Sequence, residues 1–228
     1  MQDVVKVLST LALMGAFRGV SERYEAEFAT RIEADFAPTV ALLERLRGGE
    51  GADVAILTRQ AIDDLAAEGS VVADSRVDLA RSYVGVAVKA GAPRPDMATE
   101  TALRATLLGA RSVAYSRIGA SGIFFAQLIE RMGIASEINA RARVLPLGLT
   151  AELLVTGEAD LAVQQISELK LVGGVDIVGP IPIELQSPMV FSAGRMATAE
   201  RPVQADGLLK FLTSTEVASA LRGSGLEP

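Results

Sequence analysis

Polar and apolar positions along the chain switch repeatedly between a period near two and a period near 3.6, and the changes fall at short turns rich in Gly, Pro, Ser or Thr. Val4-Val-Lys-Val-Leu8 reads as a mostly buried strand, and the hydroxyls of Ser9-Thr10 are expected to cap a helix over about 11–28. Arg31-Ile-Glu-Ala-Asp-Phe36 alternates as a strand does; Ala37-Pro-Thr39 is then expected to make another hydroxyl-capped start, to a helix over 40–47, which Gly48-Gly49 stops. Ala52-Asp-Val-Ala-Ile-Leu57 is a third strand, followed by a helix over about 60–68 that ends at Gly69. Strand and helix alternating three times predict a parallel sheet covered by helices on both faces.

The same alternation continues to the end of the chain. Residues 80–89 read as one strand, and Ala90-Gly-Ala-Pro-Arg-Pro95 as the first crossing into a second lobe. That lobe is expected to hold a helix over 99–108, strands over 112–116 and 141–145, a short helix from Ala151, a strand over 159–166, and a strand with a Pro-rich turn over 173–182. Met189-Val-Phe-Ser-Ala-Gly194 reads as the strand that returns to the first lobe, whose last helices are 202–212 and 215–221. The expected division is therefore 1–83 plus 190–228 for lobe 1 and 84–189 for lobe 2, with a ligand cleft between them.

The centre of this pattern is the stretch from Val113 to Gly133, where a strand turns into a helix through Gly119-Ala-Ser-Gly122. Ser121 stands where a cap belongs, which predicts a helix over about 122–132 stopped by Gly133. Its first turn carries no acid, so the free N–H groups, a hydroxyl and the positive end of the dipole offer a place for an anion.

Composition narrows the chemistry. Half of the 228 residues are hydrophobic and only 4% aromatic, so the cores must be aliphatic and rich in Ala. A net charge of −6 argues against a general affinity for nucleic acid or acidic membranes, so an anion must be held by local donors. The chain has no Cys and no His, which excludes thiol chemistry, a Ser-His-Asp triad and an ordinary zinc site. No acid-base pair stands at enzymatic spacing, and Asp63-Asp64 read as solvated helix residues. Neither a cofactor nor a metal is expected, and no catalytic residue is assigned. Lys6 and the apolar run Val7 to Phe17 resemble parts of a secretion signal, but Asp3 precedes the Lys and no small-residue cleavage site follows. The run is too short to cross a bilayer. A periplasmic location is expected if a leader once preceded residue 1, and a cytoplasmic one otherwise.

Five segments taken in order resemble the periplasmic molybdate-binding proteins of ABC importers and their type 2 solute-binding relatives. They are Leu8-Ser-Thr-Leu11, Phe36-Ala-Pro-Thr39, Gly48-Gly-Glu-Gly-Ala-Asp-Val-Ala-Ile-Leu57, Gly119-Ala-Ser-Gly122 and Val155-Thr-Gly-Glu-Ala-Asp-Leu-Ala-Val163. The resemblance implies a two-lobed type 2 periplasmic-binding-protein fold of the α/β class, each lobe a mostly parallel sheet with helices on both faces. It also implies a monomer that takes a small anionic ligand, serves an ABC permease, and neither inserts into a membrane nor binds nucleic acid. By the same resemblance Thr10, Thr39, Ser121, Leu149 and Gln165 supply ligand contacts; Ser9, Gly122 and Gln164 stand beside them as further candidates, and Arg117, two residues before Gly119, is the cation nearest the central turn, with a guanidinium that suits a carboxylate. Gln165 stands where molybdate binders commonly carry a Tyr, and Pro38-Thr39 replaces a Ser-rich turn. Two ligand classes therefore stay open, a compact molybdate-like oxyanion and a small organic carboxylate. Some proteins resembling this family are aconitate isomerases, which gives an enzymatic alternative in which a carboxylate, Lys or hydroxyl must act as the base.

Overall fold

The computed structural model describes residues 3–228. Contacts divide the chain into two compact units: one ends at Ser82 and resumes at Met189, and the other runs from Tyr83 to Pro188. In the first unit the elements are β1 (Asp3–Thr10), a 3-10 turn (Leu11–Leu13), α1 (Met14–Phe28), β2 (Thr30–Ala37), α2 (Thr39–Arg47), β3 (Val54–Thr58), α3 (Arg59–Ala67) and β4 (Val77–Ser82). The second unit holds β5 (Val84–Lys89), α4 (Glu100–Gly109), β6 (Val113–Ser116), α5 (Ala120–Arg131), α6 (Ala135–Asn139), β7 (Arg143–Leu145), α7 (Glu152–Thr156), β8 (Leu161–Gln165), α8 (Ile166–Leu169) and β9 (Val175–Pro180). β10 (Met189–Arg195), α9 (Pro202–Leu212) and α10 (Thr215–Gly223) complete the first unit.

Each unit is built on a five-stranded mixed sheet, in the orders β2-β1-β3-β10-β4 and β7-β6-β8-β5-β9. In both, the first three strands run parallel and the last two pair antiparallel. The parallel part follows from strand-helix alternation, since a parallel neighbour needs a crossover and a helix supplies it. In the first unit, alternate residues of the sheet feed two cores. Val5, Val7, Ile56 and Phe191 pack with α1, α9 and α10, whereas Leu8, Ala55 and Leu57 pack with α2 and α3. The second unit has an alanine-rich core of Ala87, Ala114, Ala151 and Ala162 with Leu154 and Leu169, as expected from a chain short of aromatic residues. No helix among the described residues is long and apolar enough to cross a membrane.

The run 80–89, read as one strand, is two. Ser82 ends β4 in one sheet, Val84 begins β5 in the other, and the chain passes between units there, not at Ala90–Pro95. Arg81-Ser82-Tyr83 interrupt the apolar positions at the crossing, but an exposed Arg81 beside a buried Ser82 is the alternation that a single strand also shows, so the sequence carries no distinct mark of the change of sheet. The return is also fixed locally. Gln186 takes the N–H of Val84 on its Oε1 at 3.0 Å, and its Nε2 donates to the carbonyls of Val84 at 3.0 Å and Ile181 at 2.6 Å. In the first unit, Met189 at the start of β10 stands opposite Ser82 at the end of β4.

Candidate functional site

In the first unit the parallel register Ser9↔Phe36 and Thr10↔Ala37 brings the ends of β1 and β2 side by side. The Thr10 turn and the Pro38-Thr39 turn therefore leave the same sheet edge. Ser9, Thr10 and Thr39 are all buried, yet neither threonine caps its helix: Thr10 heads the 3-10 turn, and Pro38 heads α2, without a side-chain cap bond. The expected hydroxyl caps are thus absent at these two turns. Ser9 Oγ donates to the carbonyl of Thr10 at 3.1 Å, and Thr39 Oγ1 has no partner. Thr58, at the end of neighbouring β3, shows what a cap looks like, its Oγ1 accepting from Ala61 N. Leaving a buried hydroxyl unpaired costs about 1–3 kcal/mol. Thr39 also starts a helix with no acid in its first turn, so its Oγ1 and the free N–H groups of that turn form a donor set without an internal acceptor.

In the second unit the helix after β6 starts earlier than the Ser121 signal suggests. Gly119 is the cap residue, and Ser121 is the second residue of α5. The turn is satisfied instead by Ser116, whose Oγ accepts from Ile118 N and Gly119 N at 3.3 Å each. A hydroxyl at the strand's last residue thus closes the turn, which leaves Ser121, only 4% exposed, inside the first helical turn. Gly122 has a packing reason of its own: a Cβ there would stand 1.4 Å from the carbonyl oxygen of Ser116. Only glycine lets α5 press onto the end of β6.

Arg117 is exposed but held. Its Nε donates to Tyr115 Oη and its Nη2 to Asn139 Oδ1, both at 3.2 Å, while Tyr115 Oη donates to the same Asn139 oxygen at 2.5 Å. The guanidinium lies 5.9 Å from the Tyr115 ring centroid. A cation braced in this way keeps a fixed position, with donor capacity left over for a carboxylate.

β8 lies between β6 and β5, so Gln164 and Gln165 sit inside the sheet, 3% and 1% exposed, and not on a solvent edge. Gln164 Oε1 accepts from Thr150 N at 2.8 Å and Thr150 Oγ1 at 2.9 Å, and its Nε2 donates to the Gly148 carbonyl at 3.4 Å. Its amide therefore holds the 148–150 turn. Thr150 does not cap α7, whose cap residue is Ala151. Leu149 is half-buried in the held turn, and Gln165 heads α8. Because β7, β6 and β8 run parallel, the turns carrying Leu149, Arg117 with Ser121, and Gln165 follow strand ends on one edge of this sheet. Ligands gather at that edge in open α/β sheets.

One polar residue beside these turns escapes sequence reasoning. Glu168 is buried, and burial pushes its carboxyl up to about 8, even though the Gln165 backbone and the Gln164 side chain donate hydrogen bonds that favour the ionised form. The available signal was a glutamate three residues after a helix-heading Gln, the spacing of a capping box. Asp63 and Asp64 are exposed, as expected. Among the described residues no group of three or more acidic side chains is placed to hold a metal ion.

Three comparisons bear on this arrangement. Residues 5–227 match the model of a bacterial extracellular solute-binding protein family. An aconitate isomerase from a Pseudomonas species is 39% identical over 228 residues, covering 97% of this chain and 87% of that protein. Among solved structures, the periplasmic molybdate-binding protein of Azotobacter vinelandii superposes with a TM-score of 0.83 at 15% identity, covering 98% of this chain and 99% of that one. The sulfate-binding protein SubI of Mycobacterium tuberculosis does so with a TM-score of 0.80 at 14% identity, covering 99% and 87%. At such identities the two structures speak for the fold alone.

Proposed function

We propose, from the premise that the chain belongs to the bacterial extracellular solute-binding proteins, that its solute is a small organic polycarboxylate, with aconitate the first candidate. The observation that carries this reading is the 39% identity, over nearly the whole chain, to a protein named an aconitate isomerase. The donors support it. A planar carboxylate rewards a guanidinium fork and an amide, as Arg117 and Gln165 offer, whereas a compact tetrahedral oxyanion rewards a shell of hydroxyls and N–H groups. On the sheet edge that carries Arg117 and Gln165, Ser121 and the free N–H groups at the start of α5 add further donors, and the first unit has a donor set of its own in Thr39 and the start of α2.

The same relative favours a catalytic reading over uptake alone. Interconverting the two aconitate isomers moves one proton from one carbon to another, with the double bond shifting to match, and neither gains nor loses an atom. Uptake through an ABC permease from the periplasm is the second reading, and the family membership favours it.

A thermal-shift panel of molybdate, tungstate, sulfate, citrate and both aconitate isomers separates the ligand classes. We expect the carboxylates to raise the melting temperature and the oxyanions to leave it unchanged. Tight molybdate binding with citrate and aconitate silent refutes the carboxylate reading. Proton NMR of cis- or trans-aconitate with protein in D2O then separates enzyme from carrier, since a proton shift produces the other isomer and exchanges deuterium into carbon, and a carrier does neither.

A further inference from the structure

α8 is a short turn of helix packed against β5, β8 and β9, with Ser167, Glu168 and Leu169 all buried. The Glu168 carboxyl bonds to the Gln165 backbone and the Gln164 side chain, and Gln164 in turn takes two hydrogen bonds from Thr150. One continuous polar chain therefore runs Thr150–Gln164–Glu168–Gln165 and links the turns that follow β7 and β8. An exposed glutamate three residues into a helix provides the same backbone bond at little cost. Burying a carboxyl is expensive, and its interior placement asks for a reason beyond a helix end.

We propose that Glu168 is a positioning residue, which by bonding Gln164 and the backbone of Gln165 together fixes the 148–150 turn and Gln165 in the one arrangement that receives a carboxylate ligand. The proposal rests on the carboxylate reading above. Its charge state matters as well as its geometry. With the proton on, Glu168 is a neutral bridge; ionised, it sets a poorly screened negative charge beside donors meant for an anion. The neighbouring elements bring no charge to compensate. β8 carries no ionisable side chain. Lys89 of β5 and Asp176 of β9 lie at the strand ends away from the Val84↔Gln165 pair, where Lys89 Nζ donates to the Val155 carbonyl and the Asp176 carboxylate accepts from Gly91 N. Two further titratable residues flank α8: Tyr83, whose carbonyl accepts from Ile166 N at 3.0 Å, and Lys170 at the end of α8.

The test measures calorimetric binding of trans-aconitate at pH 7 and 9 together with ligand-free amide exchange at Thr150 and Gln165. Wild-type affinity should fall about tenfold across that range, as Glu168 ionises through a value near 8. Glu168→Gln, a neutral bridge at every pH, should abolish the dependence and stay within about threefold of wild type at pH 7. Glu168→Ala should bind about tenfold more weakly at both pH values and exchange the Thr150 and Gln165 amides faster. A wild-type profile that is flat and shared by Glu168→Gln overturns the proposal. Unchanged exchange at both amides in Glu168→Ala also overturns it, whether or not trans-aconitate binds. If wild type fails to bind trans-aconitate while exchange still accelerates, the carboxylate reading falls and the bridge stands. Should Glu168→Ala fail to fold, the Glu168→Gln profile and its amide exchange decide alone.

Discussion

Glu168 should leave a mark on stability apart from any ligand. Its carboxyl titrates at the ordinary 4.5 when the chain is unfolded and near 8 when it is folded, so between those values the folded state holds a proton that the unfolded state has released. Stability must then fall as pH rises through that window, by up to about 1.4 kcal/mol per pH unit, with the full loss reached above 8. Urea unfolding of wild type and Glu168→Gln from pH 5 to 9 isolates the effect, since the difference between the two curves should grow with pH and then level off. Thr39 makes the opposite trade. Its hydroxyl is buried and has no partner, so Thr39→Val should leave the ligand-free protein as stable or stabilise it by up to about 1 kcal/mol, while weakening the ligand by about 1–3 kcal/mol. Denaturation and calorimetry on one preparation check both halves. A loss of stability on removing the hydroxyl would mean that Thr39 has an internal role.

The α5 start depends on a contact that no substitution can relieve. Gly122→Ala would set a methyl carbon into the carbonyl of Ser116, backbone against backbone, and should cost about 3 kcal/mol or more in urea unfolding. Long elements were legible in the sequence because their periods are long enough to read: α1, α2, α3, α4 and α9 fall within a residue or two of the expected ranges if the 3-10 turn is counted with α1. α6 and α8 were not, since one turn of helix carries no period. The Ser121 cap failed for a related reason. A hydroxyl just before an apolar run is the usual sign of a cap, but here Ser116, at the end of the strand, takes the N–H groups and frees the helix to begin two residues sooner. The candidate ligand residues could be placed on sheet edges from strand-helix order, but the role of Gln164 as a brace is a fact of tertiary contact without a local mark, and the capping-box spacing of Glu168 tells of a helix start and not of its burial or its bond to Gln164.

For the whole molecule, net charge opposes the approach of an anion. The chain carries a net charge of −6, so a polycarboxylate approaches against long-range repulsion and is held only by short-range donors. Added salt screens the first and barely touches the second. The association rate should therefore rise roughly twofold or more between about 0.02 and 0.2 M salt, with the dissociation rate nearly constant, as stopped-flow measurements would show. A rate that falls with salt would mean that a cluster of cations dominates the approach.

The pairing of Ser82 with Met189 also bears on how such a chain is assembled. These two residues end β4 and begin β10, directly opposite each other in an antiparallel pair, and everything from Tyr83 to Pro188 hangs between them. Seen from the first unit alone, the second is a very long loop in an ordinary β-hairpin. An Asn-Gly link is the shortest natural closure for such a hairpin, so residues 1–82 joined through Asn-Gly to 189–228 should fold as a free-standing half-protein with a cooperative melt. The piece removed is one uninterrupted stretch whose ends Gln186 already ties together, which makes it a portable cassette that recombination could lift from one hairpin and graft into another.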